Sequence, residues 1–197
     1  MPGGHDKAGA LPAIVAGMVI VETPRLRLRE LSTEDAAFVL ELVNEPAWLR
    51  FIGDRNVHSL DDARDYIARG PSASYAKHGY GLWAVELLAS GERVGMCGLV
   101  RRESLPHADL GFAFLARHWG RGYAREAAAA VVELARERYH LPRLLAVTDP
   151  QNTASQTVLE RVGFHFEKSF RFIESGEELT MYARELDGSA GGREGGA

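Results

Sequence analysis

The sequence predicts one mixed α/β domain around a single central sheet, spanning residues 18–186. Short alternating or apolar runs typical of strands are interleaved with segments of helical periodicity. No long linker, repeat or low-complexity insert interrupts this region. The chain has 197 residues, of which 46% are hydrophobic and 25% are charged, which suits one globular domain with a sizeable core.

The first half of the predicted domain begins with strands and continues with helices. Residues 25–29 alternate between arginine and leucine, which is the period of a half-buried strand. Ser32 and Asp35 have the spacing of a capping box, and Gly70–Pro71 is expected to end a helix. The expected elements are strands over Val19–Val21 and Leu26–Leu31, a helix from Ser32 to about Val43, and a helix over Leu60–Arg69.

The second half is expected to contain three successive strands and then alternating helices and strands. Ser90–Glu92 reads as a hairpin turn. Small and branched apolar residues recur at helical spacing from Ala124 to Ala135, and Gly163 is positioned to end the last helix. The expected strands are Gly81–Leu88, Val94–Arg101, Asp109–Leu115, Leu144–Thr148, Phe164–Phe172 and Leu179–Arg184, with helices over Gly122–Tyr139 and Ala154–Val162.

Both ends are expected to be flexible, as an extension over residues 1–17 and a tail over 187–197, because they are rich in glycine. The formal net charge of −4 comes without a basic stripe, which argues against nucleic-acid binding. The apolar stretch Leu11–Val21 is too short to span a bilayer, so no membrane partner is expected. The single cysteine, Cys97, lies in an apolar run and is expected to be a small buried residue in a cytoplasmic protein.

A glycine-rich turn between a strand and the long helix carries the strongest chemical signal. Gly120 and Gly122 let the backbone bend tightly, and the free N–H groups of the following helical turn form an anion site. Arg117 and Arg121 add positive charge, so the turn suits a pyrophosphate. A dinucleotide fingerprint would need Gly or Ala where Arg125 stands, and no Gly-Lys-Ser/Thr of a P-loop follows. A purely structural turn remains an alternative.

The segment Arg117-x-x-Gly120-x-Gly122-x-Ala124 resembles the acetyl-CoA signature of GNAT N-acetyltransferases. Three other segments resemble the ribosomal-protein N-terminal acetyltransferase branch of that superfamily. They are Glu22–Arg29, Leu110–Phe112, and Asn152-x-x-Ser155 continuing to Leu159–Phe164. The resemblance covers residues 19–186 and implies the GNAT fold, a central, mostly antiparallel, splayed sheet flanked by helices.

The resemblance also implies where acetyl-CoA, the expected co-substrate, would bind, with no metal required. A bulge near Phe112–Phe114 would expose backbone groups to the acetyl carbonyl and the pantetheine arm. The amides from Arg117 through Ala124 would hold the pyrophosphate. The Asn152 amide would bond the pantetheine arm, although Asn also favours helix N-caps. The implied acetyl-CoA-binding residues are Phe112, Ala113, Phe114, Arg117, Gly120, Arg121, Gly122, Tyr123, Ala124 and Asn152.

The reaction implied by the resemblance is direct attack of a neutral amine on the thioester, so no nucleophile–base pair is needed. Ser155 would donate a hydrogen bond to the leaving sulfur, since Leu159 stands where many GNAT enzymes place a tyrosine. Asp109 is the favoured proton acceptor, and the alternatives are Glu86, Glu30 and His107.

The acceptor is expected to be a primary amine, with a protein or peptide N-terminus favoured. Neutralising an α-amine of pKa near 8 at pH 7 costs about 1.4 kcal/mol, against about 4.6 kcal/mol for a lysine amine. An antibiotic or metabolite amine, or a silent acyl-CoA-binding sensor, remains open, as does a monomer or a homodimer. Acidic residues over 34–65 form either a rim for a cationic substrate or an ordinary solvated surface. Trp48, Phe51 and Trp83 are candidates for the floor of an acceptor pocket or for the core.

Overall fold

The computed structural model describes residues 17–171 and 176–186. The expected flexible segments therefore lie outside the described residues, apart from Gly17. The described strands are β1 (Val19–Glu22), β2 (Leu26–Arg29), β3 (Leu82–Leu87), β4 (Arg93–Val100), β5 (Asp109–Phe114), β6 (Arg143–Thr148), β7 (His165–Arg171) and β8 (Glu178–Glu185). The α-helices in the same ranges are α1 (Ala36–Val43), α2 (Pro46–Phe51), α3 (Leu60–Ile67), α4 (Ala73–His78), α5 (Tyr123–Glu137) and α6 (Thr153–Arg161).

The described strands form one sheet in the order β1-β2-β3-β4-β5-β6-β8-β7. Every neighbouring pair is antiparallel except β5 and β6, which run parallel and pair in register only at Asp109 and Leu145. A parallel pair needs a crossover, and α5 provides it. The expected mixed α/β fold with a mostly antiparallel, splayed sheet is thus confirmed.

Helices cover both faces of the sheet. Trp83 and Val85 of β3 belong to the apolar cluster that includes the buried residues of α5. Ala84, between them, belongs to a second cluster with residues of α1, α2 and α3. Since successive side chains of a strand point to opposite faces, the two clusters lie on opposite sides of the sheet. Among the residues the structure describes, no helix is long and apolar enough to cross a membrane.

Two helical details differ from the sequence prediction. Gly70–Pro71 does not end the helix that begins at Leu60, because a π-helical turn over Ala68–Ser72 contains both residues and continues into α4. Proline lacks an N–H donor, and a widened turn accommodates that loss without ending the helix. The helix ends instead at Gly79, which has a φ of +75°. The short helix α2 was not predicted, although Pro46 at its first turn is a recognised start signal.

Candidate active site

The sheet opens between β5 and β6. The Leu145 N–H donates to the Ala108 carbonyl at 3.0 Å, and no register pair follows beyond Asp109–Leu145. Towards β4, by contrast, β5 pairs without a register shift from Asp109 to Phe114. The expected bulge near Phe112–Phe114 is therefore wrong: the gap arises because β6 diverges from β5, and β5 itself contains no extra residue.

The divergence leaves one backbone edge of β5 facing the gap. The Leu115 N–H donates to the Val94 carbonyl at 3.0 Å, which makes Leu115 and alternate residues before it the hydrogen-bonded positions towards β4. The N–H and C=O of Phe112 consequently point away from β4 and towards the gap. The Phe114 carbonyl accepts a hydrogen bond of 2.7 Å from the Trp119 indole. The Phe112 side chain packs against the core, so the backbone of this residue is what borders the gap.

A cavity of about 360 Å³ lies at this opening. Its wall contains residues of β5 and of the loop and first turns of α6, together with residues of α2 and α3. The residues that sequence analysis singled out and the structure brings together here are Asp109, Phe112, Ala113, Asn152 and Ser155. Phe114 and the segment Arg117–Ala124 are not part of this wall.

Asn152 and Ser155 lie at the start of α6. The Oδ1 of Asn152 accepts the Ser155 N–H at 3.1 Å, so Asn152 is the helix N-cap, as one of the two interpretations held. This bond uses only the oxygen of the amide. Among the described residues, nothing bonds to the Asn152 Nδ2 or to the Ser155 hydroxyl, so both groups are available to a molecule in the cavity.

Asp109 lies where β5 and β6 begin to separate. It is only 1% exposed, and the Nε of Arg102 lies 3.2 Å from each carboxylate oxygen. Burial raises the pKa of Asp109, and the charge and hydrogen bonds of Arg102 oppose that rise without cancelling it. Such a carboxylate is a stronger proton acceptor than an exposed one. Glu86, by contrast, is tied to buried Arg29 at 2.6 Å, and neither it nor the other two alternatives line the cavity.

The glycine turn has the backbone that sequence analysis expected. Gly120 and Gly122 have φ values of +74° and +79°, and Gly122 is the N-cap of α5. The donors of the first helical turn are therefore available to an anion. The Arg121 carbonyl accepts a hydrogen bond of 2.9 Å from Arg25, whose guanidinium lies 4.8 Å from the centre of the Tyr123 ring.

Sequence analysis missed a brace that holds this turn. Glu126, in the first turn of α5, accepts hydrogen bonds from the Thr23 hydroxyl at 2.6 Å and from the Arg25 backbone N–H at 3.0 Å. The Nε of Arg25 also donates to Glu126 at 2.6 Å. Three groups from the β1–β2 turn are thus fixed to the helix that follows the glycines. The Thr23–Arg25 segment was noted in the sequence only as part of a resemblance.

The arginines near the turn have different partners. Arg117 forms ion pairs with Glu41 and, at 3.7 Å, with Glu92, and the hydrogen bond that it donates to the Glu41 carboxylate raises its pKa. Its charge is therefore largely engaged by carboxylates. A second, more open cleft runs from Gly122 along α5 to Arg161 and is also lined by Arg125. Among the described residues, Arg125 and Arg161 form no ion pair, whereas the glutamates of the cleft wall, Glu22, Glu126 and Glu133, are each paired with an arginine, so this cleft suits a negatively charged group beyond the turn.

The other aromatic and polar candidates divide between cavity and core. Trp48 and Phe51 line the cavity, whereas Trp83 is fully buried in the core. Cys97 is buried, and burial raises the pKa of its thiol, so it is a core residue as expected. In the ranges the structure describes, no three His, Cys, Asp or Glu side chains are grouped so as to hold a metal ion.

Comparison with known proteins gives consistent results. A family model described as an acetyltransferase (GNAT) domain matches residues 25–165. YkkB, an uncharacterized protein of Bacillus subtilis, is 31% identical over 152 residues, covering 76% of this chain and 87% of YkkB. The crystal structure of an acetyltransferase from Agrobacterium tumefaciens is 27% identical with a TM-score of 0.71, covering 93% of this chain and 99% of that one. RimL, described as a ribosomal L7/L12 alpha-N-protein acetyltransferase, is 19% identical with a TM-score of 0.75, covering 90% of this chain and 99% of that one, which shows a shared fold.

Proposed function

This chain belongs to the GNAT acetyltransferase family, and on that premise we propose that its acceptor is the α-amine at the N-terminus of a protein or peptide. The family transfers acetyl groups to amines with acetyl-CoA as the donor, so the chain is an N-acetyltransferase. One observation carries the proposal for the acceptor: a cavity in which an unpaired strand edge, a free hydroxyl and a single carboxylate converge.

The residues of the opening fit acetyl-CoA. The Phe112 N–H at the open edge of β5 is placed to bond the acetyl carbonyl, and the Asn152 Nδ2 is placed to bond the pantetheine arm. The glycine turn and the cleft beside Arg125 offer amides and positive charge to the phosphates. When bound, acetyl-CoA supplies the activated acetyl group. Ser155 then donates its proton towards the departing sulfur.

The proton balance of the cavity favours an α-amine. Asp109 is the one carboxylate that the described part of the chain contributes to the cavity wall, and it is paired with Arg102. At pH 7 an α-amine requires about 1.4 kcal/mol to become neutral, and a lysine amine about 4.6 kcal/mol. A single carboxylate, acting directly or through water, suffices for the first but provides little for the second. A sensor that only binds acetyl-CoA would need neither Asp109 nor Ser155.

The proposal is tested by following thiol release from acetyl-CoA with a panel of amines. Short peptides with a free N-terminus should release thiol. The same peptides with a blocked N-terminus and a free lysine should not, and aminoglycosides and polyamines should react at least about tenfold more slowly. Turnover restricted to lysine or to small amines would contradict the α-amine proposal. Binding of acetyl-CoA with no release on any amine would favour the sensor.

Substitution of Ser155 links the turnover to this cavity. Ser155→Ala should lower kcat by at least about tenfold while the Kd for acetyl-CoA, measured by calorimetry, stays within about twofold, because the hydroxyl assists proton transfer. Thr157→Ala is the matched control, since the Thr157 hydroxyl is exposed on the same helix and bonds the Thr153 carbonyl at 2.8 Å. Equal rates for the two variants would remove Ser155 from the mechanism.

A further inference from the structure

The wall of the cavity away from the strand opening would contact the part of the substrate that carries the acceptor amine. We define the acceptor wall as the residues that α2, α3 and the loop between them contribute to the cavity, namely Trp48, Phe51, Ile52, Arg55 and Tyr66. None of these belongs to the β5 edge, the glycine turn or α6, which serve the donor. An amine that approaches the acetyl group therefore meets this wall, and the inference below rests on the proposed function.

The acidic residues of the surrounding segment do not reach the cavity. Sequence analysis left open an acidic rim over residues 34–65, but none of its carboxylates lines the cavity. Asp35 is buried beside Arg29 and also pairs with the partly exposed Arg93. Five of the other carboxylates have partners: Glu41, Asp61 and Asp65 form ion pairs with Arg117, Arg64 and Arg69, and Asp54 and Asp62 accept hydrogen bonds from backbone N–H groups. Glu34 and Glu45 do not line the cavity. The rim for a cationic substrate is therefore absent from the cavity wall.

The charged side chains that do line the cavity leave a positive excess. They are Asp109, Arg102 and Arg55. The first two form an ion pair with each other. Arg55 forms no ion pair among the described residues, and its guanidinium makes only a long contact of 3.4 Å with the Ile52 carbonyl. One uncompensated cation thus stands in the acceptor wall.

Neighbouring groups show that this cation and other donors border the cavity. Arg55 and Tyr66 both line the cavity; burial raises the pKa of Tyr66, and the charge of Arg55 opposes that rise. The Trp48 side chain, 6% exposed, lines the cavity, and its buried Nε1–H has no partner among the described residues. The acceptor wall therefore offers several hydrogen-bond donors and contains no carboxylate.

From this arrangement we infer that Arg55 receives a carboxylate of the acceptor, so that the preferred substrate is an amine that carries an acidic group nearby. In a peptide this group is an aspartate or glutamate at the second or third position. Arg55 is exposed, so its guanidinium is accessible to a carboxylate, with which it can form two parallel hydrogen bonds. The positive charge of Arg55 disfavours substrates that carry a second cationic group near the acceptor amine.

The test compares peptides that differ only in glutamate, glutamine or lysine at the third position. With the unaltered protein, kcat/KM should decrease in that order, with at least about a tenfold difference between glutamate and lysine. Raising the salt concentration should reduce the difference. Arg55→Gln should remove the preference and Arg55→Glu should reverse it, while the Kd for acetyl-CoA stays unchanged in both. Arg69→Gln is the control, because Arg69 is exposed, paired with Asp65 and outside the cavity.

The outcomes separate this inference from the proposed function. If peptides react but lysine equals or exceeds glutamate, or if Arg55→Gln keeps the preference, the inference is overturned and the proposed function stands. If only small amines react, the proposed function fails. The pair 4-aminobutyrate and 1,4-diaminobutane then tests Arg55 by the same criterion, with the carboxylate coming from a small molecule. If no amine reacts, both are overturned.

Discussion

The donor side of the candidate site, which comprises the β5 edge, α6 and the glycine turn outside the cavity, and the acceptor wall are built by different means. The donor side has two glycines with positive φ and a brace in which Glu126 fixes Thr23 and Arg25 to the start of α5. The acceptor wall presents aromatic and apolar side chains and one arginine without an ion pair among the described residues. Acetyl-CoA is common to the reactions of the family, and backbone groups, which most substitutions leave in place, suit a constant ligand. Side chains suit an acceptor that differs between enzymes.

The connection between the two sides is slight. Arg50 of α2 donates a hydrogen bond of 3.1 Å to Gln151, in the loop before α6, and both side chains are exposed. Substitutions on the donor side should therefore change acetyl-CoA binding for every acceptor. Substitutions in the acceptor wall should change the choice of acceptor and leave acetyl-CoA binding unchanged. Each prediction below tests one part of this division.

The largest effect is expected at Gly122. Gly122→Glu adds a side chain where φ is +79°, with its Cβ 3.4 Å from Arg25, and adds a negative charge at the expected pyrophosphate site. We expect acetyl-CoA binding, measured by calorimetry, to weaken by more than about a hundredfold through charge repulsion and loss of the turn.

Gly91→Glu is the control for the cost of the backbone conformation. Gly91 has a φ of +70° in a hairpin turn, and nothing lies within 4 Å of an added Cβ. The two variants should lose similar thermal stability, of the order of 1 kcal/mol, whereas only Gly122→Glu should lose binding. Binding that stays within threefold in Gly122→Glu would mean that the turn is purely structural.

An intermediate effect is expected at Asp109, which lies between the two sides. Burial raises the pKa of Asp109, so its carboxylate becomes protonated at a higher pH than an ordinary aspartate does. Once protonated, it cannot accept the proton of the amine. The pH profile of kcat/KM should therefore have an acid limb from Asp109 in addition to the limb from protonation of the substrate amine near pH 8. Asp109→Asn should abolish the Asp109 limb, keep the amine limb, and lower the plateau by at least about tenfold. Asp65→Asn, an exposed member of a surface ion pair, should leave the profile unchanged.

The same pKa has a consequence for stability with a defined sign. A carboxyl whose pKa is higher in the folded than in the unfolded state binds protons preferentially in the folded state between those two pKa values. The contribution of Asp109 to the free energy of unfolding should decrease as pH rises through that window and remain low above it. Thermal unfolding of Asp109→Asn should show less of this dependence. An identical dependence in both proteins would indicate that the carboxyl is not perturbed by burial.

The contrast between the two sides also explains what the sequence could predict. The β5 strand, the glycine turn and α5 follow from local signals, namely alternation, glycine spacing and helical periodicity, and the structure places them as expected. The opening beside Phe112 is a relation between two strands more than thirty residues apart, so it came only from the family resemblance, which implied a splayed sheet together with a bulge that β5 does not contain. Likewise, local pattern ended a helix at Pro71, where packing of the proline in the buried interior sustains a π turn.

The acceptor wall was the least predictable part, for a physical reason. Residues 34–65 showed many carboxylates, and composition alone suggested either an acidic rim or a solvated surface. Pairing of these groups with arginines near and far in the sequence, such as Glu41 with Arg117, decides which charges remain in the cavity. Arg55 is distinguished by lining the cavity without an ion pair among the described residues, and no sequence pattern reports that.

The smallest effect is expected from loosening the brace on the donor side. Arg25→Gln removes the hydrogen bond to the Arg121 carbonyl, the ion pair with Glu126 and the cation above Tyr123. Since Arg25 is half-exposed, we expect the Kd for acetyl-CoA to rise only about fivefold, or about 1 kcal/mol, with kcat within twofold. The preference for acidic peptides should persist, because the acceptor wall is untouched.

Arg27→Gln is the matched control for this last variant. Arg27 is exposed on β2, two residues along, and its Nε bonds Glu22 at 2.7 Å without touching the turn. Arg27→Gln and Arg25→Gln each remove one positive charge, so any long-range electrostatic effect on acetyl-CoA binding should be equal in the two variants. An equal loss of affinity would mean that Arg25 acts through its charge alone, whereas a loss confined to Arg25→Gln would show that the brace positions the glycine turn.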